Sequence, residues 1–443
     1  MNKFLFKQVD NTSLVLFRVV FGLLISIEAF GAIATGWVRR VLVEPDFTFN
    51  FIGFDFLQTI QGSGMYYYFI IMGFFGLMVM LGYKYRYSMF FYALMWTGVY
   101  FMQKTSYNNH YYLMMLLCWL MVLLPANRWF SLDANYRPSI KNPAMSQWCK
   151  WVLILQVLIV FTYAGIAKCY PDWFDATAPA LFMKAKNSYW LIGELLQQSW
   201  LHYSIAYFGL LFDFLIIPML LWKPTRLLGF YISVFFHLFN SIVFQIGIFP
   251  YMSISFVLFF FTSETLQKRF LSKKKLYTSE EIKIPRYKNA LIVVFTLYFI
   301  VQIGLPLRHW FIKDDVLWTE EGHRLSWRMM LRSKRGTLII WVEDKATGER
   351  ISYNYSNLLS KKQTRSIKTH PDLLWQLAQR IKKLEKENGK DVAVYLHGKV
   401  SVNGGYYFPF IDPDVDIASQ EWKPFEHHNW ILPSPEDYHK KNE

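Results

Sequence analysis

Long apolar runs separated by short polar loops occupy the first two thirds of the chain. Nine of these runs approach the roughly 20 apolar residues that a helix needs to cross the hydrocarbon core of a bilayer. We predict membrane spans at residues 13–34, 64–82, 88–102, 110–124, 151–168, 203–222, 227–245, 248–262 and 289–305. The stretch 179–200 is amphipathic, which is typical of a segment that lies at the membrane interface or re-enters the membrane.

The pattern changes after Leu305 and Pro306, where polar residues become frequent. A run rich in apolar and β-branched residues at 337–342, a turn sequence at 345–348 and a second strand-like stretch at 350–353 predict a β-hairpin. A helical apolar repeat follows near 371–388, and the apolar stretch 392–396 predicts another strand. The sequence therefore predicts a polytopic α-helical membrane domain with about nine transmembrane helices over residues 1–305, followed by a soluble α+β domain over residues 306–443.

The composition agrees with a membrane protein, because 53% of the 443 residues are hydrophobic and 19% are aromatic. The net charge of +15 would also suit a nucleic-acid-binding protein. If the amino terminus is cytoplasmic, however, the inside loops hold 18 basic residues and the outside loops hold six. This asymmetry predicts a cytoplasmic amino terminus and an extracytoplasmic carboxy-terminal domain. Topology and attraction for anionic lipids, as at 273–275, account for the charge, and we expect no nucleic-acid partner.

Polar residues inside the spans or at their outer ends indicate where a site lies. Lys168 closes the fifth predicted span, and Asn109 and His110 open the fourth. The seventh span carries His237 and Asn240 on one helical face. A single one of these residues would suit helix packing, or snorkelling in the case of the lysine. Their convergence in the outer half of the membrane, below the soluble domain, predicts a functional site.

Two isolated charges within the spans have a structural interpretation. Arg18 in the first span and Asp213 in the sixth are expected to form a buried pair, with Glu28 as the alternative partner of the arginine. A metal site is not predicted, since the histidines lack a third ligand at a suitable spacing. The acidic run 412–416 imitates the start of a calcium loop, but Ile417 replaces the required glycine, so we predict a turn there.

Motifs in both parts of the chain are similar to those of vitamin K-dependent gamma-glutamyl carboxylase. In the membrane part the matching segments are residues 10–18, 104–110, 164–173 and 236–241. In the outer domain they are residues 326–330, 347–349, 410–417 and 421–425. The resemblance runs in order along nearly the whole chain, and its membrane part resembles the family with a horizontally transferred transmembrane (HTTM) domain. The chain is shorter than the animal enzymes, which suggests a bacterial relative in the inner membrane.

The resemblance implies a two-stage reaction. The residue matching Lys168 deprotonates reduced vitamin K (phylloquinol or menaquinol), and reaction with O₂ gives a strong base that removes a proton from the gamma carbon of a glutamate. The resulting carbanion takes up CO₂, and the quinone leaves as its epoxide. The resemblance thus implies the lipid bilayer, an isoprenoid quinone and a glutamate-containing protein as partners.

The resemblance also implies roles for individual residues. Those implied in catalysis are Lys168 and His110, those implied in quinone binding are Asn109, His110, His237 and Asn240, and those implied in substrate binding are His323 and Trp327. At one place the chain departs from the animal enzymes, which carry an apolar residue and a tyrosine where this chain has Gly322 and His323. We therefore expect epoxidation to be retained and carboxylation of animal-type peptides to be weak, and Gly322→Leu combined with His323→Tyr to restore it.

Two other functions are left open by the residues alone. A transporter or channel would use the intramembrane charges and histidines as a relay, although the outer domain of 138 residues is large for a simple carrier. A quinone-binding protein would oxidise the hydroquinone without carboxylating a protein. Product analysis distinguishes the three functions. A transporter gives flux without chemistry, a quinone-binding protein gives epoxide alone, and a carboxylase gives epoxide with carboxylated product.

Overall fold

The computed structural model describes residues 2–279 and 281–438. The helices up to the end of the last apolar run are α1 (Asn2–Leu5), α2 (Thr12–Ala34), α3 (Gly64–Leu81), α4 (Tyr85–Met102), α5 (Asn109–Leu123), α6 (Leu132–Tyr136), α7 (Trp148–Ala167), α8 (Pro171–Phe174), α9 (Thr177–Lys184), α10 (Ser199–Leu221), α11 (Arg226–Phe244), α12 (Phe249–Ser255), α13 (Ser263–Phe270) and α14 (Lys288–Leu307). Two short strands, β1 (Gln8–Asp10) and β2 (Ala144–Ser146), pair antiparallel in the same part of the chain.

Six helices of the described chain are long and apolar enough to cross a membrane: α2, α3, α7, α10, α11 and α14. A seventh crossing would consist of α12 and α13 with the turn between them, which are bent by 117°. The predicted spans 88–102 and 110–124 correspond to α4, which carries Arg86 and several tyrosines, and to α5, which has 15 residues. Helical segments thus occupy all nine predicted ranges, and the count of nine crossings stays a prediction.

Contacts between distant segments define two ends of the helical domain. At one end, here called the amino face, Lys274 Nζ lies 2.5 Å from Asp10 Oδ2, just before α2 begins. At the other end, the domain face, Phe47 and Phe49 follow α2 and pack into the core of the soluble domain. The 23-residue helix α2 therefore separates the two faces. The burial of Lys274 leaves only its two neighbours in the basic run 273–275 exposed.

Up to residue 438, the soluble domain contains three α-helices, several short 3-10 helices and a four-stranded antiparallel sheet. The helices are α15 (Val316–Thr319), α16 (Lys361–Ile367) and α17 (Pro371–Glu387), and the strands are β3 (Lys334–Asp344), β4 (Arg350–Ser352), β5 (Val392–Val402) and β6 (Phe408–Pro409), in the sheet order β4-β3-β5-β6. The apolar face of α17, with Leu374, Leu377 and Ile381, packs on Ile340 and Leu396 of the sheet. The predicted hairpin, helix and following strand are confirmed.

Arg18 pairs with neither Asp213 nor Glu28, the two carboxylates predicted as its partners. Its guanidinium donates to three backbone carbonyl oxygens, those of Val79, Met80 and Phe130. Two of these carbonyls belong to the last turn of α3, where helical N–H donors become scarce, and that of Val79 also accepts from the Gly82 N–H. Glu28 instead accepts a hydrogen bond of 2.6 Å from the Tyr111 hydroxyl. The prediction of a buried pair between Arg18 and Asp213 is therefore wrong, because the guanidinium binds backbone carbonyls instead.

Candidate active site

A cavity near the domain face brings together the predicted lysine and both predicted histidines. Lys168, His110, His237 and Asn240 all line it, and the empty space inside it is about 690 Å³. Most of the remaining wall is aromatic or aliphatic, and Met329 and Met330 of the soluble domain contribute to it. The convergence predicted from the spans is thus present in the structure.

Lys168 forms an ion pair with Asp213 inside this cavity. The lysine follows the last residue of α7, the carboxylate lies on α10, and both residues are less than a tenth exposed. The ammonium pairs with Asp213 Oδ2, lies 3.4 Å from the Ala164 carbonyl oxygen and sits 5.4 Å from the centre of the Trp173 ring. A buried charge in apolar surroundings requires such a partner. Asp213 is therefore a member of the site, although the sequence pattern predicted it as the partner of Arg18.

A glycine allows the two helices that carry this pair to approach closely. A Cβ atom at Gly165 of α7 would lie 2.8 Å from Cζ of Phe214, the neighbour of Asp213 on α10. The lysine at the end of α7 and the carboxylate on α10 reach each other because of this contact. Gly165 lies in the segment 164–173, which resembles a carboxylase motif. The sequence does not show, however, which helix packs against this glycine.

The two imidazoles lie on either side of one phenylalanine. The ring of His110, the second residue of α5, stacks on Phe249 with 3.9 Å between ring centres. The ring of His237, on α11, meets the same phenylalanine edge-on at 6.1 Å. His237 is 1% exposed, and its Nδ1 atom has no hydrogen-bond partner among the described residues. A buried ring nitrogen without a partner is a place for a hydrogen bond to a bound molecule.

Two other predicted residues lie outside the cavity lining. Asn109 connects the domains, because its Oδ1 accepts from the Tyr107 hydroxyl at 2.8 Å and its Nδ2 donates to the Arg328 carbonyl at 2.9 Å. Trp327 is fully buried and stacks on Tyr112 with 4.7 Å between ring centres. The structure therefore gives both residues packing contacts between the domains, and their roles in quinone and substrate binding stay predictions.

His323 lines a second cavity, at the junction of the two domains. Lys104, Arg324, Arg332, Lys334 and His370 line the same cavity. His323 Nδ1 is buried and has no hydrogen-bond partner among the described residues. Of this cluster, only His323 was predicted to have a role in the site. Arg324 follows His323 directly, and the other members were missed because they come from other segments that the fold brings together.

Glu320 holds two of the cations of the second cavity. Arg332 Nε lies 2.7 Å from Glu320 Oε1, and Lys334 Nζ lies 3.5 Å from the same oxygen. Burial alone would raise the pKa of Glu320, but the charges of Arg332 and Lys334 hold it well below its ordinary value. The carboxylate is therefore ionised at neutral pH.

The backbone at Gly322 excludes the leucine that the animal-type sequence would place there. Its φ is +77°, in the left-handed region, and a Cβ atom would lie 2.7 Å from Cβ of His309. The expectation that Gly322→Leu with His323→Tyr restores an animal-type site is therefore corrected, because the glycine change would displace the backbone.

A family description matches each part of the chain. Residues 6–264 match the HTTM domain, and residues 287–437 match the lumenal domain of vitamin K-dependent gamma-carboxylase. No solved structure matches the chain. The first match defines a class of membrane proteins built on one helical domain. With the second match, the chain belongs to the HTTM family as a gamma-glutamyl carboxylase-like protein, which confirms the resemblance.

Proposed function

We propose that the protein is a membrane enzyme that oxidises reduced vitamin K, phylloquinol or menaquinol, to its epoxide with Lys168 as the base. The observation that carries the proposal is the Lys168–Asp213 pair, which lies in an apolar cavity together with two imidazoles. Buried ionisable groups that converge in a cavity are typical of catalytic sites. The membership in a vitamin K-dependent carboxylase family supports the same substrate class.

The cavity suits a flat, apolar quinol. Phe161, Phe182, Phe236 and Phe249 supply aromatic wall, and the free Nδ1 of His237 supplies a polar contact for a ring hydroxyl. An isoprenoid tail is soluble in the surrounding lipid, so the bilayer itself would deliver the molecule. Asn240 is a further hydrogen-bonding group on the same wall.

The lysine and the aspartate together can move a proton without adding net charge to the cavity. Transfer of a proton from Lys168 Nζ to Asp213 Oδ2 leaves an amine and a carboxylic acid, both neutral. The amine can then accept a proton from a quinol hydroxyl, and His110 and His237 can donate hydrogen bonds to the oxygen that becomes negative. When bound, the quinol with O₂ supplies the strong base that activates a glutamate gamma carbon for addition of CO₂.

A second candidate function is quinol epoxidation without carboxylation of glutamate peptides. Arg332 and Lys334 are the cations that would attract a substrate carboxylate into the second cavity, and Glu320 already engages both. An incoming glutamate would have to displace this internal carboxylate. His323 beside them replaces the tyrosine that the resemblance leads one to expect.

The deciding experiment measures both products at once. Purified protein is incubated with vitamin K hydroquinone, O₂, labelled bicarbonate and a glutamate peptide, and epoxide and labelled peptide are quantified. Epoxide together with labelled peptide supports carboxylation, and epoxide alone supports the second candidate. Neither product, with the quinol consumed no faster than without protein, would overturn the proposal and favour a transport function.

A further inference from the structure

A wide groove on the amino face combines basic, aromatic and apolar side chains. It lies where α3 ends and α4 begins, beside the loop that follows α5, and its empty space is about 2430 Å³. Its lining shares no residue with the active-site cavity or with the cavity at the domain junction.

Five cations line the groove, namely Lys84, Arg86, Arg128, Arg137 and Lys141. None of them forms a salt bridge with a carboxylate of the described residues. Unpaired like charges at this density repel one another, and a bound anion relieves the repulsion. The groove therefore has the charge of an anion-binding site.

The single carboxylate in the described lining of the groove is already used by the fold. Asp133 Oδ1 accepts from the backbone N–H of Lys84 at 2.7 Å. Its Oδ2 accepts from the backbone N–H of Tyr85 at 3.0 Å and from Asn127 Nδ2 at 2.7 Å. These bonds satisfy the free donors at the start of α4. Asp133 thus holds the helix end and leaves the five cations to an external partner.

Apolar side chains continue from the groove along the outer surface of the helices. Phe75 and Met78 of α3 and Phe91 of α4 line it, and Phe91 is 43% exposed. Tyr83 and Tyr87 are exposed beside the cations, as expected at the level of lipid headgroups. A free phosphate would use the cations alone, whereas a lipid would use both the cations and the apolar wall.

We propose that this groove binds an anionic glycerophospholipid, with the phosphate against the five cations and an acyl chain along Phe75, Met78 and Phe91. Basic pockets between membrane helices on the cytoplasmic side recognise such headgroups. The bound lipid reduces the repulsion within the cluster and holds the ends of α3 and α4 together with the loop after α5. The site is separate from quinol oxidation and does not depend on it.

The test compares two triple variants with the same change in charge. The groove variant carries Arg86→Gln, Arg137→Gln and Lys141→Gln. The control carries Lys223→Gln, Arg269→Gln and Lys273→Gln, which are exposed on the same face but do not line the groove. Each protein is placed in phosphatidylcholine nanodiscs with and without phosphatidylglycerol. Bound phosphatidylglycerol is counted by native mass spectrometry, and thermal unfolding is followed in parallel.

Wild type and control should retain bound phosphatidylglycerol and unfold at a higher temperature in its presence. The groove variant should bind it on the order of 100-fold more weakly, since each removed cation reduces affinity by about fivefold. Equal losses in the control, or full retention by the groove variant, would overturn the proposal. The same stabilisation by glycerol phosphate in plain phosphatidylcholine would overturn the lipid assignment. The single variant Lys141→Gln, with an expected loss of about fivefold, decides the matter if the triple variant does not fold.

Discussion

Lys104 in the loop before α5 and Asp372 at the start of α17 form a buried ion pair with 2.8 Å between Nζ and Oδ2. Arg324 binds both oxygens of the same carboxylate, at 3.0 and 3.2 Å. Burial alone would raise the pKa of Asp372, but Arg324 and Lys104 hold it well below its ordinary value. One carboxylate thus joins a loop of the membrane domain to the soluble domain.

Asp372→Asn should destabilise the junction of the two domains strongly. The substitution leaves the positive charges of Lys104 and Arg324 buried without their partner, and breaking a buried pair in this way costs about 3–5 kcal/mol. Denaturant unfolding, followed by tryptophan fluorescence, measures the loss. Glu343→Gln is the control, since its pair with Arg350 is partly exposed to solvent and should contribute little. A variant as stable as the wild type would contradict the role of this pair.

The soluble domain should lose stability on mild acidification because of His370. Burial lowers the pKa of His370 to about 4 from an ordinary value of 6.5, although the charge of Glu320 opposes the shift. Between these two values the unfolded chain binds more protons than the folded chain, so stability falls as the pH falls through this window. The loss between pH 7 and pH 5 should be about 1 kcal/mol, discounted for partial exposure.

His370→Gln should reduce this pH dependence, which thermal unfolding at both pH values measures. The exposed His397 provides a matched control, and His397→Gln should leave the wild-type slope unchanged. If the His370 variant loses as much stability between the two pH values as the wild type, another group is responsible.

Lys168→Ala should lower the rate of epoxide formation by about 10²–10⁴-fold, the usual contribution of a general base. Lys168→Arg should be equally slow, since a guanidinium stays protonated. Asp213→Asn should also be slow, because an amide cannot accept the lysine proton. Initial rates of epoxide formation measure all three, and Lys184→Ala, an exposed lysine outside the cavity, is the control. Near-normal epoxidation by the arginine variant would rule out Lys168 as the base.

His323→Tyr alone should raise peptide carboxylation relative to epoxidation, because it restores the aromatic hydroxyl beside the Glu320 cluster. The ratio of labelled peptide to epoxide measures the effect, and His397→Tyr controls for a general effect of the substitution. Gly322→Leu should instead reduce the yield of folded protein, given the contact with His309. An unchanged ratio in the His323 variant would show that this position does not limit carboxylation.

Cysteine labelling should place the two faces on opposite sides of the membrane. Lys273→Cys and Lys345→Cys are suitable because both residues are exposed, whereas Lys274 is buried against Asp10. The exposed Cys169 is first replaced by serine, and the two other cysteines are buried. Position 273 should react from the cytoplasm alone and position 345 from outside alone. Reaction of both from one side would exclude an odd number of crossings.

The sequence predicted the depth of the site in the membrane better than it predicted which charged residues pair within the site. Counting spans placed Lys168, His110, His237 and Asn240 at one level, because depth depends only on where each helix begins and ends. Asp213 was assigned to Arg18, whereas it pairs with Lys168, because choosing the partner of a buried charge requires knowledge of which helices touch. The backbone carbonyls at the end of α3, which accept from Arg18, carry no signal in side-chain chemistry.

Most contacts at the junction of the two domains could not be predicted from the sequence. Its charged residues come from separate parts of the chain, with Lys104 in the segment 104–110, Glu320 and Arg332 after the last span, and Asp372 at the start of α17, and local patterns do not show that these parts meet. Gly322 was recognised as a departure from the animal enzymes, but its left-handed backbone and its contact with His309 depend on the packing of two loops. Local patterns predicted the strands and α17 because their apolar periodicity is visible in single segments.

The insertion of Phe47 and Phe49 into the soluble core imposes an order on the biogenesis of the protein. These two residues leave the ribosome early, and the sheet and helix that surround them are made last. The soluble core cannot be completed until the whole membrane portion has been synthesised and the early loop has been left on the correct side. The first loop must therefore already lie on the same side of the membrane as the soluble domain when that domain completes its folding.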